Sequence, residues 1–171
     1  MVGRTLIGLI AAVALSSAPL PAQDGAGAEW RHYAADLAAT RFSPLTQINR
    51  SNVAKLAVAW TFRTGDAGEQ ARTTIECTPL VVDGVMYVTS PLLKTIALDP
   101  ATGREIWRFD PFEASGGPAR DVSRGVTYWQ DGDDKRILFG ASKYLYCLNA
   151  RTGKPAPGFG DNGMVDLSQG L

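Results

Sequence analysis

The feature that most constrains this chain is a short segment that occurs twice. Ala97-Leu98-Asp99-Pro100-Ala101-Thr102-Gly103 aligns on Cys147-Leu148-Asn149-Ala150-Arg151-Thr152-Gly153 at an offset of 50 residues. In both copies an apolar run ends in Asp or Asn and is turned by Thr-Gly. Asp and Asn bond their own backbone in such turns, and Gly supplies a positive φ. Around each copy the sequence reads as short strands. Thr78–Val82, the Asp83-Gly84 dipeptide and Val85–Thr89 predict a hairpin with a primed two-residue turn. Thr95–Asp99 and Arg104–Phe109 predict two further strands. Gly125–Trp129, Arg136–Gly140 and Tyr144–Asn149 repeat the pattern. Leu56–Phe62 alternates and predicts an earlier strand, ending at the turn signal Thr64-Gly65-Asp66.

A flat sheet of four short antiparallel strands cannot bury both faces by itself. A repeat of this length matches one four-stranded blade of a β-propeller, where neighbouring blades cover both faces. The 149 residues after position 22 suffice for about two blades. The second copy has Pro157 where the first has Trp107, and this degeneracy argues against a short ring assembled from identical copies. The chain ends in the polar stretch Gln169-Gly170-Leu171, with no further strand expected to close the second blade.

Residues 1–22 read as an export signal. Arg4 precedes the uncharged run Leu6–Leu15, which Ser16-Ser17-Ala18-Pro19 breaks before the small Ala22. Ten apolar residues fall short of the ~20 that a spanning helix needs, which disfavours an uncleaved anchor. The mature chain is expected in the periplasm, either free or membrane-associated. Residues 23–56 form an N-terminal lead-in, with an irregular segment or short helix near Ala34–Ala38 and a helical turn near Asn49–Leu56 capped by Asn49 or Ser51. Residues 57–171 form the incomplete propeller.

Composition narrows the function. The chain carries 17 Lys and Arg against 17 Asp and Glu, which excludes a generic basic nucleic-acid binder. A single histidine, His32, excludes HExxH zinc chemistry and is expected to pack or lie exposed rather than to take part in catalysis. Two cysteines are too few for a disulfide scaffold or a four-cysteine zinc site. Export permits Cys77 and Cys147 to pair, but their apolar surroundings favour two separate buried thiols. The turn aspartates Asp83, Asp99, Asp131, Asp133 and Asp134 serve backbone geometry and are assigned no catalysis. The glycine-rich stretch 158–163 reads as a connecting turn, and Trp129 as either core or cofactor face.

Several motifs together resemble one family. Ala97-x-Asp99-x-x-Thr102-Gly103-x-x-x-Trp107 is similar to the tryptophan-docking motif of quinoprotein dehydrogenase propellers. Trp30, Tyr33, Thr40–Leu45, Ile48, Asn52-Val53 and Ala59-Trp60 resemble the start of mature quinoprotein alcohol and glucose dehydrogenases. Glu76-Cys77-Thr78-Pro79-Leu80, Ser123-Arg124-Gly125-Val126-Thr127-Tyr128-Trp129 and Phe159-Gly160-x-Asn162-Gly163-x-Val165-Asp166-Leu167 resemble later family segments, in family order.

The resemblance implies an all-β fold, the first two blades of an eight-bladed propeller of the pyrroloquinoline quinone (PQQ) glucose/quinate type. It implies PQQ as cofactor, with Glu76 and Arg124 as cofactor-binding residues. Arg124 suits the cofactor's carboxylates and quinone oxygens through its forked guanidinium. Ca²⁺ is implied as well, with its ligands and the catalytic aspartate base expected beyond position 171, so no catalytic residue is assigned here. The substrate is expected to be a sugar, polyol or alcohol, and the electron acceptor ubiquinone or a cytochrome c. The remaining blades of a longer protein are the expected partner, and this piece alone is expected to be inactive. Methanol-type relatives carry vicinal cysteines where this chain reads Gly117-Pro118-Ala119-Arg120, which points to the glucose type. An alcohol-type quinohaemoprotein would add a Cys-x-x-Cys-His haem domain; the motif does not occur here, and the chain ends before the point at which that domain would be expected. The rival reading is a non-catalytic propeller of similar repeats, acting as an envelope interaction scaffold.

Overall fold

The computed structural model describes residues 29–66, 74–113 and 122–169. The export signal and the Gly117–Arg120 comparison lie outside them. Two four-stranded antiparallel sheets follow one another along the chain. The first orders β1 (Leu80–Val82), β2 (Val85–Thr89), β3 (Thr95–Leu98) and β4 (Glu105–Phe109) in sequence. The second orders β5 (Thr127–Asp131), β6 (Asp134–Ala141), β7 (Tyr144–Asn149) and β8 (Met164–Asp166). The β1–β2 turn is of the primed kind, with Asp83 at φ 50° and Gly84 at φ 72°.

Register places one apolar row across each sheet. Leu80 pairs with Tyr87, Tyr87 with Ala97, and Ala97 with Trp107, so these four side chains share a face. In the second sheet Phe139 pairs with Tyr146 and Tyr146 with Met164. The two rows meet in a common core that also takes in Val82, Ile137 and Leu148. Phe139 and Tyr146 stack at 5.2 Å, and the Phe109 ring lies 5.7 Å from Tyr146 and 6.1 Å from Phe139. The buried Tyr87 hydroxyl and the Trp107 indole N–H both donate to the Ala150 carbonyl, at 3.2 and 2.9 Å. Each large apolar side chain buried in this seam contributes on the order of 1.5–3 kcal/mol.

The repeated turns have one construction. Asp99 Oδ1 accepts the N–H of Ala101 and Thr102, and Asn149 Oδ1 accepts those of Arg151 and Thr152. Each turn receives a tryptophan from upstream. Trp60 lies on Gly103 and donates to the Pro100 carbonyl at 3.0 Å, whereas Trp107 lies on Gly153 and donates to Ala150. The second turn is therefore a complete docking site, and the degeneracy at Pro157 touches only the tryptophan that this blade would pass onward.

Three expectations are corrected. Residues 56–62 form no strand, because among the described residues no backbone ladder partner runs beside them. Their alternation is real but serves a face: Trp60, Phe62, Thr64 and Asp66 are the half-buried members of 60–66. Arg108 lies 6.0 Å over the Phe62 ring and donates to the Thr64 carbonyl, and Ser90 donates to Asp66. Second, the blade that was expected to stay open is closed by β8, which pairs with β7. The signal for it is the run Met164-Val165-Asp166, too short to stand out. Third, the helical turn spans Val53–Lys55, with Asn52 at its N-cap and no side-chain cap bond. Asn49 instead spends its Oδ1 on the Ser51 N–H and hydroxyl.

Candidate cofactor site

Glu76 stands four residues before β1, and Arg124 three residues before β5. The two lead-ins run against each other where the sheets meet. The Thr78 N–H donates to the Arg124 carbonyl at 3.1 Å. Gly125, at φ +126°, lies so close that a Cβ there would stand 3.0 Å from the Thr78 carbonyl oxygen and 3.6 Å from Cys77 Sγ. The Ser123 hydroxyl bonds both the N–H and the carbonyl of Gly125, each at 3.3 Å. This clasp brings two side chains 48 positions apart to an ion-pair distance, with Arg124 Nη1 3.6 Å from Glu76 Oε2.

Both groups face solvent, with side-chain exposures of 80% for Arg124 and 40% for Glu76. An exposed pair of this kind contributes about 0–1 kcal/mol, so it holds neither group tightly. The guanidinium keeps a forked set of donors for a planar carboxylate-bearing ligand, and the carboxylate can accept from a ring N–H or hydroxyl. These donors and acceptors fit an anionic, planar, polycarboxylated cofactor. Among the described residues no group of three or more His, Cys, Asp or Glu side chains is placed to hold a metal ion.

The other sequence candidates fall elsewhere. Cys77 is half-buried beside the clasp, and its Sγ accepts the Thr89 N–H at 3.2 Å. Cys147 is buried in β7, where burial pushes its thiol above the ordinary range. The two cysteines are free, Cys77 in the lead-in before β1 and Cys147 within β7. Trp129 is not core: it is 44% exposed, with the Arg136 guanidinium 5.3 Å over its ring. His32 is half-buried in the N-terminal turn, where its carbonyl accepts the Ala35 N–H.

Sequence reasoning missed one junction. Asp83 was assigned turn geometry alone, yet it collects cations from two other segments. Lys135 of β6 donates to Asp83 Oδ2, and Arg31 donates to Oδ1 at 3.1 Å. The Asp83 N–H donates to Glu29 Oε1 at 3.0 Å, while Arg31 lies 5.5 Å over the Tyr128 ring. The Lys135 hydrogen bond holds the Asp83 carboxyl below the usual carboxylate range. Nothing local in the sequence marks this, since the partners stand 52 positions away on either side.

Comparison with known proteins puts this geometry in context. Residues 30–171 match the family described as "PQQ: Glucose/ethanol/alcohol dehydrogenase, beta-propeller domain". Quinoprotein glucose dehydrogenase A of Acinetobacter calcoaceticus is 34% identical over 167 residues, covering 84% of this chain and 21% of the relative. Quinohemoprotein alcohol dehydrogenase ADH IIB of Pseudomonas putida is 38% identical over 148 residues, covering 84% of this chain and 20% of the relative. The crystal structure of the quinohemoprotein alcohol dehydrogenase from Comamonas testosteroni superposes with a TM-score of 0.65 at 33% identity, over 83% of this chain and 20% of that one. The chain thus spans about a fifth of the length of the curated relatives it matches.

Proposed function

This chain belongs to the PQQ-dependent glucose/ethanol/alcohol dehydrogenase β-propeller family, and from that premise we propose that it is the N-terminal part of a periplasmic quinoprotein dehydrogenase. The observation that carries the reading is the meeting of Glu76 and Arg124 at the junction of two consecutive sheets. Glu76 and Arg124 hold the cofactor. Arg124 offers paired N–H donors to a cofactor carboxylate or quinone oxygen, and Glu76 accepts a hydrogen bond while balancing the arginine's charge. When bound, PQQ supplies an electrophilic ortho-quinone that takes up two electrons from the hydroxyl-bearing carbon of a sugar, polyol or alcohol. The chain's own contribution is to bind and orient, and the clasp that joins the two lead-ins keeps both groups on one side of the seam. Ca²⁺ would be held beside the cofactor by ligands outside this chain, and the aspartate that takes the substrate proton would lie outside it as well. Ubiquinone or a cytochrome c receives the electrons, and residues 23–171 by themselves are inactive.

The test is dye-linked oxidation by the full-length protein, reconstituted with PQQ and Ca²⁺ and offered glucose and short alcohols. Glu76→Gln is expected to raise the PQQ concentration for half-reconstitution by about ten- to a hundredfold, the range of one charge-assisted hydrogen bond. PQQ-dependent turnover by residues 23–171 alone overturns the assignment of the chain as an incomplete part. Full-length protein that neither binds PQQ nor responds to the Glu76 change supports the interaction-scaffold reading instead.

A further inference from the structure

We infer that Gly125, braced by Ser123, is a positioning residue that sets where Arg124 presents its guanidinium; the inference rests on the cofactor-binding reading of Arg124. Gly125 differs from the ordinary turn glycines of this chain. Gly65, Gly84, Gly132 and Gly158 also have positive φ, but a Cβ added to any of them meets nothing within 4 Å. At Gly125 the Cβ would meet the backbone of the other sheet's lead-in, 3.0 Å from the Thr78 carbonyl oxygen. Its φ of +126° is one that L side chains rarely adopt. Both restrictions act at one place, and Arg124 is the residue immediately before it.

The consequence is mechanical. A Cβ at 125 would stand tighter than ordinary contact against the Thr78 carbonyl, on a backbone conformation that strains any L side chain, right where the Thr78 N–H reaches the Arg124 carbonyl at 3.1 Å. An alanine at 125 must either push Thr78 away or rotate φ. Rotation about that bond turns the peptide plane shared with Arg124, and displacement of Thr78 moves the strand lead-in that carries Glu76. Either response changes the separation of Arg124 and Glu76. Ser123 holds the same backbone, with its hydroxyl bonded to the Gly125 N–H and carbonyl. Gly125 and Ser123 need not touch the cofactor, since they act through the arginine between them.

The experiment is a double-mutant cycle read as PQQ dissociation constants by tryptophan-fluorescence titration of the full-length protein, with thermal unfolding of each variant measured in parallel. Gly125→Ala is expected to weaken PQQ binding at least about tenfold, and Ser123→Ala roughly threefold. Arg124→Gln is expected to weaken binding at least about tenfold in the otherwise unaltered protein, and less than about twofold when Gly125→Ala is already present. That loss of additivity is what a merely structural role cannot produce. Equal losses from Arg124→Gln in both backgrounds, or unchanged affinity in Gly125→Ala, overturn the inference while leaving Arg124 as a cofactor ligand. An Arg124→Gln change without effect in the unaltered protein removes the cofactor reading and this inference with it. Should Gly125→Ala fail to fold, the same cycle run with Ser123→Ala decides the matter, with full additivity the overturning result.

Discussion

Glycine serves different purposes at different positions of this chain, and the distinction is measurable. Gly84 sits in the β1–β2 turn at φ 72° with open space around it, so its requirement is conformational only. Gly153 has a similar φ of 68°, but a Cβ there would stand 2.5 Å from Trp107 Cε3. The tryptophan ring is seated on the missing side chain, and its N–H is satisfied by Ala150 at 2.9 Å. Gly84→Ala is expected to cost about 1–2 kcal/mol from the left-handed backbone alone. Gly153→Ala carries that cost and must also unseat the indole, adding about 1–3 kcal/mol of overpacking. Urea unfolding of the two variants checks the order, and equal losses would show that the ring is not held by the turn. Asp99 and Asn149 illustrate why these turns are legible residue by residue. Each side-chain oxygen satisfies N–H groups two and three residues on, a bond the local sequence alone dictates.

The strands are joined into sheets by local hairpins, but the sheets are joined to each other by contacts of long sequence separation. The aromatic seam of Phe109, Phe139 and Tyr146 is one such joint, and the Asp83 cluster another. Asp83 leaves the turn between β1 and β2 to bond Lys135 at the start of β6 and Arg31 of the lead-in. Its carboxyl titrates below the usual range because the lysine hydrogen bond favours the charged form. A carboxyl depressed in the folded state stabilises fully above its unfolded value of about 3.9, and the contribution disappears as pH falls through the folded one. Asp83→Asn preserves the left-handed turn, which Asn tolerates, and removes only the charge. Its melting temperature is expected to fall about 2–4 °C below that of the unaltered protein at neutral pH, the scale of a weak surface network. The gap should close as pH drops below about 4, because protonation abolishes the same charge. A gap that stays constant from neutral to acid pH would assign the loss to the turn and not to the ion pairs.

On the scale of the whole molecule, the two sheets share one core, and many large apolar side chains of the N-terminal segment stay exposed. Leu37, Phe42 and Val58 are 90%, 70% and 82% exposed, and Tyr33, Leu45, Ile48, Val53 and Leu56 are exposed around them in sequence. Exposed apolar side chains in such number favour association. The 171-residue chain is expected to bind the dye ANS strongly and to self-associate. An ANS-silent monomer would mean that residues 33–58 cover themselves. The sequence by itself determined strands β1 to β7, the primed turn and the repeated Asp/Asn-Thr-Gly turns. Each of those depends on neighbours a few positions apart, or on a motif carried whole. What only the tertiary structure decided depends on encounters across tens of residues. Trp60 serves the turn at Gly103 from a segment that is no strand; β8 closes the second sheet; Asp83 is a hub; and Arg124 stands beside Glu76. Alternation in a sequence records which side chains are covered, but a ladder needs a second backbone alongside, and only the folded chain says where that backbone is.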